Sequence, residues 1–555
     1  MKLDEKFGIR GIDDERSRRV LFPTRVVLTK GSVYGRQYLT EHKPAQVAIY
    51  GYHDQCVLDN RNSDEHAAVL VDFGRELHGT LTLSVWSMNG PSADYLIRLG
   101  ESVSEAMTPV GIKNATNDHA TRDMTVTGGP WSSNETDESG FRFAYVELLS
   151  PNMLVEIRCI TATLIFRDIE YRGSFACSDP IITNCYDTAA YTVHLNMQRY
   201  LWDGIKRDRL VWAGDMSTEV ATVLAVFGEN EVVPKSLDLV KDVTPVSESM
   251  NGLSSYTLWW IICHRAWYRG TGNYAYLAEQ KDYLKALLTR YAKYVDENGS
   301  EILPDIRFFD WPTANYPEPQ HCGLQGLLRY ALLCGGEMMK MLGESATAAE
   351  CFSAADKLLA HKPDPGTWKQ PAAMMVMGGL LDPKEAYESC IAKDGAAGLS
   401  TFLGYYTLQV IGMAGEYEAA LDVMRDYWGR MLELGATTFW EDFDVDWTKG
   451  NPTPITEPVP DGGVDIHGDF GAHCYLGLRH SLCHGWASGP APYLASTVLG
   501  IQILEPGCRK VRFAPHLSGL DWARGTYPTP MGEIEVEVTP NGASCKAPAG
   551  VEIVK

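Results

Sequence analysis

The sequence predicts a multidomain, mainly α protein: an (α/α)6 barrel of six helical hairpins, flanked by an N-terminal antiparallel β-sandwich and a small C-terminal β domain. Three observations carry this. At 555 residues the chain exceeds the ~250–300 at which one hydrophobic core stops growing, so it must divide. Its apolar residues recur with period two from about residue 20 to 170 and again after Gly507, but with period 3.6 in between. The helical stretch holds about a dozen segments with no repeat of fixed length, which favours a closed ring over a solenoid. The expected divisions are 1–170, 171–503 and 504–555.

The first region reads as short alternating runs broken by Gly, Pro, Asn and Asp: RVVLTKG, AVLVDFG, GTLTLSVWS, DYLIRLGES, AYVELLS and EIRCITATLIF. The polar stretch Asn114 to Asp123 has no periodicity and is expected to be a long surface loop. Near Ser178 the period changes. Ser178 is the expected helix cap, followed by Asp179 and Pro180, and Ile182, Cys185, Ala189, Val193 and Met197 then form one stripe. Further helices are expected at roughly 215–228, 232–241, 253–269, 273–296, 320–341, 345–360, 367–379, 384–393, 396–412, 415–433 and 487–501. The run Ser255 to Trp267 is apolar almost all round, whereas Asp282 to Val295 and Ser345 to Ala360 have a polar face. Fully buried and half-exposed helices are what two concentric rings require. The runs KVRFAP, EIEVEV and VEIVK close the chain as β structure.

Composition narrows the function. With 49 Lys and Arg against 71 Asp and Glu, the net charge of −22 repels phosphate backbones and anionic lipids, so neither nucleic acid nor a membrane is an expected partner. No run approaches the ~18–20 apolar residues of a membrane helix. The start, MKLDEKFGIRGIDDERSRR, has no apolar signal core, which points to the cytoplasm, or to the periplasm or exterior if a signal has been removed. The 13 cysteines are scattered without zinc spacing and read as reduced, buried thiols. There is no phosphate-binding loop, no dinucleotide fingerprint and no GxSxG. The acidic run EDFDVDW lacks the Gly and Glu of a calcium loop, so no metal and no cofactor is expected.

Four loops collect the remaining chemistry: Leu201 to Met216, Phe308 to Gln320, Ala436 to Trp447 and Gly468 to Pro490. Each mixes carboxylates with Trp, Arg or His. Any one of them could be a solvated turn with helix caps. Together, at hairpin ends of one helical domain, they suit a glycosidase: one carboxylic acid protonates the leaving oxygen, another carboxylate activates water, and aromatic faces hold the ring.

These passages resemble the glycoside hydrolase family 78 α-L-rhamnosidases from about residue 68 to the end. The resemblance rests on VDFGRELHGTLTL at 71–83, IRLGES at 97–102, SGFRFAYVEL at 139–148, RDRLVWAGD at 207–215, FWEDF at 439–443, HGWASGP at 484–490 and the closing stretch from GIQILEPG to MGEIEVEV. It implies an inverting exo-hydrolase releasing terminal α-L-rhamnose from a glycan or glycoside, with carbohydrate as the partner and a homodimer as a compatible assembly. Asp203, Arg207, Trp212, Asp215, Asp310, Trp311, Trp440 and His484 would contact the sugar, and Glu441 would act as the base. The acid position departs from the family: Asp208 stands where a glutamate is expected, one methylene shorter, and Gly204 and Ile205 replace the family's Cys-Pro pair. Asp208 is the expected acid and Glu219 the alternative. A changed sugar specificity, lyase chemistry on rhamnose-containing acidic glycans, or a non-catalytic sugar-binding protein are the other readings. Because a cation beside an acid would hold it ionised, Arg207 is expected to turn towards the sugar or Asp203 rather than pair with Asp208.

Overall fold

A computed structural model describes residues 6–8, 11, 14–42, 54–62 and 65–555. Twelve helical segments form two rings. The inner ring runs Met216–Val226, Ser254–Thr271, Pro317–Met341, Lys369–Met377, Gly404–Met413 and Pro490–Tyr493 with its continuation to Val498, each packing on the next. The last packs back on the first, which closes the toroid. The outer helices alternate with them in sequence: Pro180–Asn196, Val232–Val243, Tyr274–Tyr291, Ser345–Lys357, Pro383–Ile391 and Tyr417–Glu433.

The apolar periodicity explains each layer. Ile182, Cys185, Ala189, Val193 and Met197 are all fully buried, and so are Leu258 through Ile261 on three sides of the inner helix Ser254–Thr271. The first cap sits one residue later than the sequence suggests. Asp179 accepts from the amides of Ile181 and Ile182, with Pro180 at the first helical position, while the Ser178 hydroxyl accepts from the Asp521 amide.

Among the described residues the N-terminal domain is an antiparallel β-sandwich of ten strands. Its two long strands, Ala68–Met88 and Leu154–Arg167, change partners along their length: the first pairs with Arg25–Lys30 and Ser139–Leu148 early and with Leu154–Arg167 and Ser133–Glu135 late. Strands shared in this way carry the chain between layers around a core that includes Val69, Leu81, Ile97, Val146 and Ile160. The C-terminal β structure draws in two strands from beyond its expected limit. Ser174–Cys177 pairs with Ala523–Thr529, and Ile501–Ile503 with Lys510–Phe513, so both ends of the helical segment are tied into the closing sheets.

Of the 13 cysteines, all are buried except Cys474 and Cys545, which are partly exposed. Among the described residues no helix is long and apolar enough to cross a membrane.

The stretch Asn114 to Asp123 departs from expectation in its role. It is irregular, but it straps the sandwich to the toroid. Lys113 C=O accepts from the Leu478 amide at 2.8 Å, Asp118 holds Arg479 at 2.9 Å, and buried Arg122 meets Glu105 at 3.4 Å.

Candidate active site

Loops that lead into inner helices meet at one mouth. Residues 203–215 enter Met216–Val226, residues 251–253 enter Ser254–Thr271, residues 306–314 precede Pro317–Met341, and residues 484–486 precede Pro490–Tyr493. They enclose a cleft of about 410 Å³. Inner-helix N-termini therefore face it, and their unpaired amides favour negative charge there.

Glu441 is fixed at the base of the cleft. Its amide donates to Ser481 C=O at 2.9 Å, its carbonyl accepts from Trp486 Nε1 at 2.8 Å and Thr401 Oγ1 at 2.5 Å, and the Ser481 amide reaches Oε2 at 3.3 Å. Arg207 Nη2 lies 2.5 Å from Oε1 of Glu441, while its Nη1 lies 3.4 Å from Oδ1 of Asp208. Arg207 thus turns to Glu441, not to Asp203, and its contact with Asp208 is single and long rather than bidentate. Burial works against the arginine's charge, but Glu441 and then Asp208 outweigh it and raise its pKa. One planar guanidinium spanning both carboxylates keeps their nearest oxygens within roughly 8 Å.

Asp208 and Arg209 both adopt left-handed backbone, at φ 57 and 54, so the chain turns sharply where the acid is expected. His119 from the sandwich strap braces that turn. Its Nδ1 accepts the Asp208 amide at 3.1 Å and lies 3.2 Å from Oδ1, and its carbonyl accepts from Arg209. Nothing in an aperiodic polar stretch marks His119 in advance.

Asp203, Asp215 and His484 line the same cleft. Asp203 Oδ1 accepts the Leu210 amide at 2.9 Å and Asp215 Oδ1 accepts from Tyr256 Oη at 3.1 Å. Burial first and neighbouring carboxylates next raise both acids well above the usual carboxylate range, Asp203 mainly through Asp215. His484 Nε2 stands 3.7–3.8 Å from Asp203, Asp215 and Glu441, and burial and Arg207 push its pKa well below the usual value.

The walls are aromatic and aliphatic: Trp212, Tyr256, Phe308, Trp311 and Trp486, with Leu253 and Ile306. Trp212 packs edge-on against Tyr256 at 5.8 Å, and Phe308 against Trp311 at 5.0 Å. Tyr256, at the start of the helix expected to be buried all round, is a cleft residue that the apolar run conceals.

Three expected site residues do not line the cleft. Asp310 is 1% exposed; it accepts from the Trp311 amide at 2.9 Å and Ser400 Oγ at 2.6 Å, so it sets the Trp311 turn from behind. Trp440 is 1% exposed and packs on Phe443 and His480 beneath the Glu441 loop. Glu219 lies fully buried behind Gly485 on the first inner helix, neither of its oxygens has a hydrogen-bond partner among the described residues, and burial holds it neutral. A side chain sealed there has no path to a sugar oxygen in the cleft.

A second ionic cluster backs the Arg207 loop. Lys206 is fully buried and its Nζ reaches Glu105 at 2.9 Å, Glu101 at 3.3 Å and the carbonyls of Leu478 and His480 at 2.8 and 2.6 Å. Glu101, Glu105 and His467 are close enough to share a cation, and the Lys206 ammonium supplies it.

Comparison with known proteins agrees with this architecture. Residues 170–361 match the bacterial α-L-rhamnosidase six-hairpin glycosidase domain and residues 500–551 the bacterial α-L-rhamnosidase C-terminal domain. No curated protein sequence matches significantly. Among solved structures, the family 78 rhamnosidase of Bacillus sp. GL1 superposes with TM-score 0.74 at 22% identity, covering 93% of this chain and 55% of its own. A Klebsiella oxytoca rhamnosidase with rhamnose bound gives 0.66 at 18% identity, covering 87% of this chain and 96% of its own. The Streptomyces avermitilis α-L-rhamnosidase complexed with L-rhamnose gives 0.69 at 16%, covering 88% of this chain and 48% of its own. The chain thus spans about half the length of two of these three. Residues 170–361 and 500–551 thus match the six-hairpin and C-terminal domains of the bacterial α-L-rhamnosidases, on a fold like that of the solved rhamnosidases.

Proposed function

We propose that the cleft hydrolyses terminal α-L-rhamnosides with inversion at the anomeric carbon. The observation that carries this is that Asp208 and Glu441, from loops at opposite ends of the helical domain, enter one cleft and are bridged by Arg207. Their bounded separation overlaps the ~6.5–9.5 Å that leaves room for an attacking water. Glu441 takes a proton from that water as its oxygen bonds to the anomeric carbon. The glycosidic bond breaks on the opposite face, and Asp208 gives its proton to the departing oxygen. Arg207 and the Ser481 amide hold Glu441 in place, and Asp203, Asp215 and His484 offer short polar groups to the ring hydroxyls. The predominance of Trp212, Tyr256, Phe308, Leu253 and Ile306 suits a deoxy sugar, whose methyl group needs an apolar wall.

The short arm of Asp208 and its contact with His119 support a second reading, a site that binds rhamnose without cleaving it. An aryl α-L-rhamnoside separates the two. Turnover that gives the inverted sugar by proton NMR, and that is lost in both Asp208→Asn and Glu441→Gln, supports hydrolysis. Rhamnose binding by calorimetry with no turnover in the wild type supports the binding protein.

A further inference from the structure

Beside the cleft lies a second chamber of about 420 Å³, and a single aromatic partition divides them. Trp311 borders both chambers and stacks on His473 at 5.2 Å, with Cys474 on the first side and His473 on the second. The neighbouring carboxylates Glu441 and Asp442 open into different chambers, Glu441 into the first and Asp442 into the second. The second chamber is built like the first, from loops that enter inner helices: Thr367 and Trp368 precede Lys369–Met377, and Gly398 and Leu399 lie ahead of Gly404–Met413.

Its lining has the chemistry of sugar recognition. Trp368 is braced by Tyr316 at 4.9 Å, and Trp447 by Phe470, stacked at 5.5 Å and 15°, so each indole is held by another ring. Braced, half-buried indoles give a pyranose face a surface that loses little side-chain entropy on binding. Asp442 and Asp444 supply acceptors for hydroxyl donors and oppose an anionic ligand. The volume lies within the ~300–1,000 Å³ of ligand sites.

We propose that this chamber is a subsite for a second, neutral sugar of the same glycan, so that the protein acts on rhamnose-containing oligosaccharides rather than on isolated monoglycosides. The inference rests on the first chamber being a rhamnose site. It makes the Trp311–His473 partition the point at which a bound glycan crosses from one chamber to the other.

Calorimetry on the Glu441→Gln protein, titrated with L-rhamnose and with α-1,2-, α-1,3- and α-1,4-linked rhamnobiose, tests it. At least one disaccharide should bind about tenfold tighter than rhamnose. Trp368→Ala should remove that advantage while leaving rhamnose binding unchanged, and Thr367→Arg, at an exposed position, should do the same by filling the chamber. Disaccharides that bind no tighter than rhamnose, or an advantage that survives both variants, would overturn the subsite alone. Failure of rhamnose itself to bind, with the folded protein verified by circular dichroism, would instead overturn the reading of the first chamber and this inference with it.

Discussion

Arg207 Nη2 lies 2.5 Å from Oε1 of Glu441, a residue 234 positions further along the chain, and this pair joins the first helical hairpin to the last. Both side chains are buried, so the pair is stable only because each has the other. The planar fork of arginine also reaches Asp208, which a lysine's point charge could not do from the same position. Arg207→Lys should therefore lower kcat/KM on an aryl rhamnoside by about a hundredfold or more while the fold persists. Near wild-type kcat/KM in this variant would show that the bridge is not needed for chemistry.

Lys206 precedes this arginine and anchors the same loop from behind. Removing its ammonium leaves Glu101 buried without its nearest cation and Glu105 with Arg122 alone, a loss of about 3–5 kcal/mol in comparable pairs. Lys206→Met should lower the first thermal transition by several degrees, and adding Glu105→Gln should recover part of the loss. An unchanged melting profile would mean that the sandwich and toroid do not depend on this contact.

Trp440 and Trp212 are the converse pair. Trp440 lies under the Glu441 loop with its indole N–H unpartnered among the described residues, whereas Trp212 forms part of the cleft wall. Trp440→Phe should leave KM within about twofold and alter mainly stability, because a buried ring replaces a buried ring. Trp212→Ala should raise KM by about tenfold through the lost wall. KM values that respond in the opposite order would return Trp440 to the sugar site.

How far the sequence speaks for the site follows from the same residues. Periodicity is local, so the stripe from Ile182 to Met197 announced its buried face, and alternation announced the strands. Ring closure depends on the contact of Pro490–Tyr493 with Met216–Val226, which no local pattern encodes. Loop chemistry marks which segments gather but not which side chains turn inward. Asp310 and Trp311 are adjacent, yet one supports from behind and the other lines the wall. His119 and Lys206 were silent for another reason: a histidine that stays exposed in a polar loop and a lysine beside an arginine both look like ordinary surface, and only their contacts across the domain boundary show what they brace.

Asp310 also gives the protein a pH-dependent stability. Burial pushes its carboxyl up to about 7, against hydrogen bonds from Ser400 and the Trp311 amide that favour the ionised form. In the unfolded chain an aspartate releases its proton near ~3.9. Between about pH 4 and 7 the native state thus holds a proton that the unfolded state has lost, so stability falls as pH rises, by up to roughly 4 kcal/mol once both states are ionised. Asp310→Asn keeps the acceptor for the Trp311 amide and removes the titration. The melting temperature of the variant relative to wild type should therefore climb from pH 5 to pH 8. Asp442, also raised to about 7 by burial and by Glu441, is present in both proteins, and its charge is one of the causes that raise Asp310. A flat difference across that range would show that Asp310 ionises in the folded protein as it does in the unfolded one.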